Sequence, residues 1–168
     1  MMKILLLLFL LPSFLLAQGD QYSQFVLSSS LPSDLSGKLS QSGFLKEYDL
    51  NVALNPFYLR GDFNGDEKMD YAIAVTDKQT KKRGIAIFTS QTDFVLIGAG
   101  NSLPNRKMDD FGWMDAWYVY SNRTVEIGAG ETEELKLTTD AIMAVKTESA
   151  SGLIYWNGKE FRWYQQGD

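Results

Sequence analysis

Gly61-Asp62-Phe63-Asn64-Gly65-Asp66-Glu67-Lys68-Met69-Asp70 runs directly into Tyr71-Ala72-Ile73-Ala74-Val75. Oxygen-bearing side chains recur at every second position, Asp62, Asn64 and Asp66, and return at Asp70. A short loop with that spacing can turn its oxygens inward around a hard cation, and Ca²⁺ accepts six to eight such oxygens in irregular geometry. The same residues also suit a tight turn in which Asp and Asn oxygens simply accept backbone N–H groups. Three crowded carboxylates repel one another unless a cation or a proton intervenes, which favours the metal. After the loop, Tyr71, Ile73 and Val75 alternate with Ala72, Ala74 and Thr76, the period of two of a β-strand. Phe57-Tyr58-Leu59-Arg60 reads as the strand entering the loop, so loop and flanks predict a hairpin.

Outward from this hairpin the chain continues as short β segments. Gly84 to Thr89 and Phe94 to Ile97 read as strands around a turn at Ser90 to Asp93, with Lys78 to Arg83 as a basic hairpin tip. Tyr118 to Tyr120 and Ala141 to Val145 read as further strands. Leu153 to Trp156 and Glu160 to Tyr164 flank Asn157-Gly158, a pair suited to the two positive φ angles of a type I′ turn. On the N-terminal side, Ser33 can cap a short helix with Leu35 and Leu39 on one face and Gly43 as its stop. The expected fold is therefore mainly β (α+β), built of antiparallel hairpins with one short N-terminal helix.

The central loop resembles the Asp-x-Asn-Gly-Asp-Gly-x-x-Asp calcium loop of FG-GAP and VCBS repeats, the integrin α-propeller type, over residues 61–76. The resemblance implies a structural Ca²⁺ held by Asp62, Asn64, Asp66 and Asp70, with Lys68 contributing its backbone carbonyl. An EF-hand is excluded, because its twelfth position would be Ile73 rather than a bidentate Glu. Two features depart from the pattern: the strand after Asp70 does not end in the family's Gly-Ala-Pro, and Glu67 stands where the family has Gly. A left-handed conformation there costs a non-Gly residue roughly 1–2 kcal/mol.

Composition narrows the function further. Lys3 followed by the apolar run from Ile4 to Ala17 has the form of a secretory signal, with cleavage expected between Ala17 and Gln18. The run is broken by Pro12 and Ser13 and falls short of the ~20 residues of a comfortable membrane span. Residues 18–168 are then expected to form a single domain, secreted or periplasmic, with no membrane span after cleavage. Loss of Lys3 takes the net charge from −5 to −6. That charge opposes binding to nucleic acid or anionic lipid. Absent Cys removes disulfides, and absent His removes the commonest zinc ligand and any Ser-His-Asp arrangement.

One aromatic stretch is a second candidate site. In Met108 to Tyr118, Trp113 and Trp117 sit among Asp109, Asp110 and Asp115. Exposed rings beside carboxylates suit a sugar or a peptide, and a converging carboxylate pair could hydrolyse a glycoside. Buried rings with aspartates in loops are the plainer reading, because aromatics dominate small β cores. Two functions stay open at this point. One is a non-catalytic, calcium-stabilised exported domain that binds an envelope or extracellular partner. The other is a glycan- or peptide-binding module using Trp113 and Trp117 with Asp110 and Asp115, with a carboxylate glycosidase as a remote third.

Overall fold

The computed structural model describes residues 24–90 and 94–167. The signal segment 1–17, its cleavage junction and most of the turn expected at Ser90 to Asp93 lie outside the described residues. The fold is mainly β, with antiparallel pairing throughout. Among the described residues three short helices come first: α1 is helical over 24–29, α2 spans Ser33–Gln41 and α3 spans Phe44–Glu47. The expectation of a single helix therefore understates the N-terminal region. Leu35 and Leu39 are buried on one face of α2 as their spacing predicts, but Ser33 lies inside the helix and no side chain caps it. Gly43, at φ 68°, ends that helix and opens α3, which carries Phe44 into the core.

The first sheet contains β1 (Tyr48–Leu50), β2 (Tyr58–Gly61), β3 (Asp70–Asp77), β4 (Arg83–Phe88) and β5 (Val95–Gly98). Its order is β1-β3-β4-β5, with β2 also paired to β3. The central hairpin is present, with Gly61 opposite Asp70 and Tyr58 opposite Ile73. β3 is buried on both faces over most of its length. Its large residues Tyr71, Ile73 and Val75 pack with Leu35, Leu39 and Phe44 from the helices. Its small residues Ala72 and Ala74 turn to the opposite face and join a separate core with residues of the second sheet. The period of two thus separates a large face for helices from a flat face for a sheet.

The second sheet, in the order β11-β10-β9-β6, consists of β6 (Ala116–Tyr120), β9 (Ala141–Lys146), β10 (Ala150–Trp156) and β11 (Phe161–Gly167). Its inner face gives Trp117, Ile142, Ala144, Ile154, Phe161 and Trp163 to the inter-sheet core. A two-stranded ribbon, β7 (Thr124–Val125) with β8 (Leu135–Lys136), lies with the outer face, where Val125 packs with Met143, Leu153 and Tyr164. The final hairpin forms where Asn157-Gly158 predicts it, but the turn is wider than two residues: Trp156 pairs with Phe161. Only Gly158 of the dipeptide has positive φ. Asn157 instead accepts the N–H groups of Lys159 and Glu160 on Oδ1 at 3.0 and 2.9 Å. Its side chain closes the turn that its backbone was expected to make. Among the described residues no helix is long and apolar enough to cross a membrane.

Candidate metal centre

The β2–β3 loop is built from its own side-chain oxygens. Asp62 accepts Gly65 N–H on Oδ1 at 2.7 Å and Glu67 N–H on Oδ2 at 3.1 Å. Asn64 Oδ1 accepts Asp66 N–H at 3.1 Å, and Asp66 Oδ1 accepts Lys68 N–H at 3.0 Å. These are successive Asx turns, the local alternative that Asp and Asn offer to a strand ladder. Glu67 sits at φ 61° and Gly65 at φ 79°, so the sixth position adopts the left-handed conformation although it is not glycine. The N–H of Glu67 to Asp62 helps to hold it there.

Asp70 differs from the other loop acids. It is 0% exposed, and its Oδ2 accepts Phe63 N–H at 3.0 Å. Its Oδ1 is buried and makes no well-formed hydrogen bond, although the Asn64 backbone N–H is near enough to lower the carboxyl's pKa. Burial, with the charges of Asp66 and Asp62 adding to it, pushes the Asp70 carboxyl up to about 6. Asp66 is pulled the other way, chiefly by the Ser90 hydroxyl that donates to its Oδ2. Lys68 contributes its N–H to Asp66, and its Nζ lies 3.5 Å from Ser90 Oγ. The oxygens of Asp62, Asn64 and Asp66 are thus engaged by the loop's own backbone, and the charges of Asp62 and Asp66 are felt at the buried Asp70 carboxylate. Among the described residues, however, no three acidic side chains converge tightly enough to hold a metal ion as they stand.

Two residues from the second sheet's side reach this loop, and nothing in the loop's sequence points to them. Asp140, immediately before β9, accepts Asp62 N–H on Oδ2 at 3.1 Å and returns its own N–H to Asp62 O at 2.9 Å. The Thr139 methyl lies so close to Gly65 that a Cβ there would meet it at 2.9 Å. Ser90 likewise reaches Asp66 from 24 positions away. Separations of this size carry no periodic or motif signal.

The aromatic stretch is divided between core and surface. Trp117 is 2% exposed, and its Nε1 donates to Pro56 O. Trp113 is half-buried against Phe111 at 5.8 Å and edge-on to Trp163 at 6.2 Å between ring centroids. The two rings therefore present no shared face to solvent. Asp110 Oδ1 accepts the N–H groups of Arg83 and Gly112, tying the segment to β4. Asp115 clamps the turn after β9, accepting Lys146 Nζ at 3.0 Å and Thr147 N–H at 2.8 Å. Those bonds, led by the Thr147 N–H, lower Asp115 to about 2. Asp109 is lowered by its bond from Lys82. A glycosidase acid needs its pKa raised, and both groups are pushed the opposite way. A surface depression of about 290 Å³ is lined by Lys46, Glu47, Asp77, Lys78 and Gln79, none of them from this stretch.

No family model, curated protein or solved structure matches this chain.

Proposed function

We propose that this chain is a non-catalytic exported β domain whose 61–70 loop takes a structural Ca²⁺ and whose surface serves an envelope or extracellular partner. The observation that supports the ion is Asp70, a fully buried carboxylate with one well-formed hydrogen bond, a weaker one from the Asn64 backbone, and two further carboxylates close enough to raise its pKa. Asp62, Asn64, Asp66 and Asp70, with the Lys68 carbonyl, would hold the ion, which supplies positive charge to offset their mutual repulsion. Carboxylate and amide oxygens keep a second lone pair while accepting one N–H, so the Asx turns and an ion are compatible. The loop has to close for this, since among the described residues the acids do not converge. The role is structural, because Ca²⁺ is a weak activator of water compared with Zn²⁺.

Thermal melts in Ca²⁺, Mg²⁺ and chelator test the ion. At a free concentration about 100-fold above Kd, stabilisation is about 2.7 kcal/mol. Asp66→Ala removes the response, and a melt that never moves with any of the three overturns the reading. Export rests on the composition of residues 1–17, and the intact mass of the exported protein should correspond to a start at Gln18. The alternative glycan- or peptide-binding reading would rest on Trp113, since Trp117 is enclosed in the core.

A further inference from the structure

Each sheet has an outermost strand whose outward backbone groups are met by side chains. In the second sheet that strand is β11. The N–H of Trp163 donates to Asn105 Oδ1 at 2.9 Å, and Asn105 Nδ2 donates to Trp163 O at 2.7 Å. One carboxamide thus makes the two bonds that a residue of a neighbouring antiparallel strand would make. Two positions on, the Gln165 N–H donates to Glu131 Oε1 at 3.0 Å, and the Ala129 N–H reaches Gln166 O at 3.3 Å. The segment carrying Glu131 lies against β11 because Gly128 has no side chain: a Cβ there would stand 1.8 Å from Gln165 O. The first sheet repeats the arrangement on β1. There Gln24 Oε1 accepts Leu50 N–H at 2.8 Å, and its Nε2 donates to Leu50 O at 3.3 Å.

We infer that the outer edge of β11 is a strand-pairing surface which Asn105 and Glu131 hold closed, and that the partner it fits once they are removed is β11 of a second copy of this chain. A strand edge with free N–H and C=O groups is a template for another strand. β11 reads Phe161-Arg162-Trp163-Tyr164-Gln165-Gln166-Gly167, with three aromatic residues, one charge and no Pro. Short segments of high β propensity, low charge and no Pro are the ones that pair with their own copies. Antiparallel pairing about a twofold axis is self-complementary. Centred on Tyr164, it sets Trp163 opposite Gln165 of the second copy. The two residues now bonded to Asn105 and Glu131 would then bond to each other across the axis. Asn105 is itself exposed, so the closure is made at the surface rather than by burial. It works because the side chains satisfy the edge groups as well as occupying them, and an arriving strand gains no hydrogen bond that is not already made.

Sedimentation velocity of the purified protein, with a synthetic peptide of residues 161–167 as probe, tests this. Asn105→Ala combined with Glu131→Ala should self-associate about tenfold or more tightly than the wild type, and the peptide should bind the variant and dissociate its dimer. The same peptide N-methylated at Trp163 and Gln165 keeps every side chain but loses the two N–H donors, and should bind about tenfold or more weakly. A double variant as monomeric as the wild type overturns the inference. Equal binding of the two peptides overturns strand pairing and leaves only exposed apolar surface. If the double variant does not fold, the near-isosteric Asn105→Asp takes its place. Its carboxylate still accepts the Trp163 N–H but has no donor for Trp163 O, so it should bind the unmethylated peptide more tightly than the wild type does. Peptide binding in Asn105→Asp no tighter than in the wild type then overturns the inference.

Discussion

Tyr71 and Asp34, 37 positions apart, meet in a 2.6 Å hydrogen bond from the phenol to Oδ2. The bond ties helix α2 to the strand that leaves the acidic loop. It lowers the pKa of Asp34, while burial and then this carboxylate raise that of Tyr71. Arg60, from β2, lies over the same ring at 5.9 Å from its centroid. One side chain therefore joins the helical layer to the hairpin.

Tyr71→Phe keeps the ring and loses only the hydroxyl. A hydrogen bond to a carboxylate contributes about 1.5–3 kcal/mol net, and the exposure of Asp34 keeps the cost at or below the lower end. Tyr71→Ala empties a core position instead and should cost about 3–5 kcal/mol, as truncated core aromatics do. Urea midpoints of the two variants check the difference.

Trp117 and Trp113 should respond differently to truncation. Trp117→Ala removes a buried ring from the inter-sheet core and should cost about 3–5 kcal/mol. Trp113→Ala should cost clearly less, because the ring is only half-buried. The Trp113 Nε1 is buried without a hydrogen-bond partner among the described residues. Trp113→Phe removes that N–H and should be neutral or stabilising by up to about 1 kcal/mol. Equal losses for the two alanine variants would place Trp113 in the core and leave no ring for a ligand.

Asp70 should give a pH dependence that calcium reverses. Its folded pKa, about 6, lies above the ordinary 3.8, so between these values the folded state binds more protons than the unfolded one. By linkage, its contribution to stability falls as pH rises from about 4 to 6 and is constant above that. In chelator, Asp70→Asn should flatten this part of the profile. With Ca²⁺ the sign should invert, since the ion requires the deprotonated group. Thermal melts from pH 4 to 7 under both conditions measure it.

Glu67→Gly should stabilise the loop. Glu67 sits at φ 61°, where a side chain costs roughly 1–2 kcal/mol, and glycine returns part of that gain through its freer unfolded state. A net gain of about 0.5–1 kcal/mol is expected, with a larger calcium response than the wild type. A loss of stability would mean that the Glu67 side chain has a role beyond its backbone.

The central hairpin was legible because its information is local. Alternating Tyr71-Ala72-Ile73-Ala74-Val75 selects a strand by its period, and Asp, Asn and Gly at short spacing select a turn by their own hydrogen bonds. The mainly β class follows from repeating that reading along the chain. Leu35 and Leu39 disclosed a buried helical face in the same way. Asn157-Gly158 disclosed that a turn exists, but not its width, because the Asn side chain competes with its backbone for the same role.

What tertiary structure decided are the relationships between distant segments. That Ala72 and Ala74 face a second sheet while Tyr71 and Ile73 face helices follows from which layer covers each side of β3. Trp113 and Trp117 are alike by composition, and only the register of β6 on β9 sends Trp117 inward opposite Ala144. The loop acids could be read from their spacing. The burial of Asp70, its poorly bonded oxygen and the grip of Asp140 on Asp62 could not, because they arise where two sheets pack and no spacing along the chain encodes them.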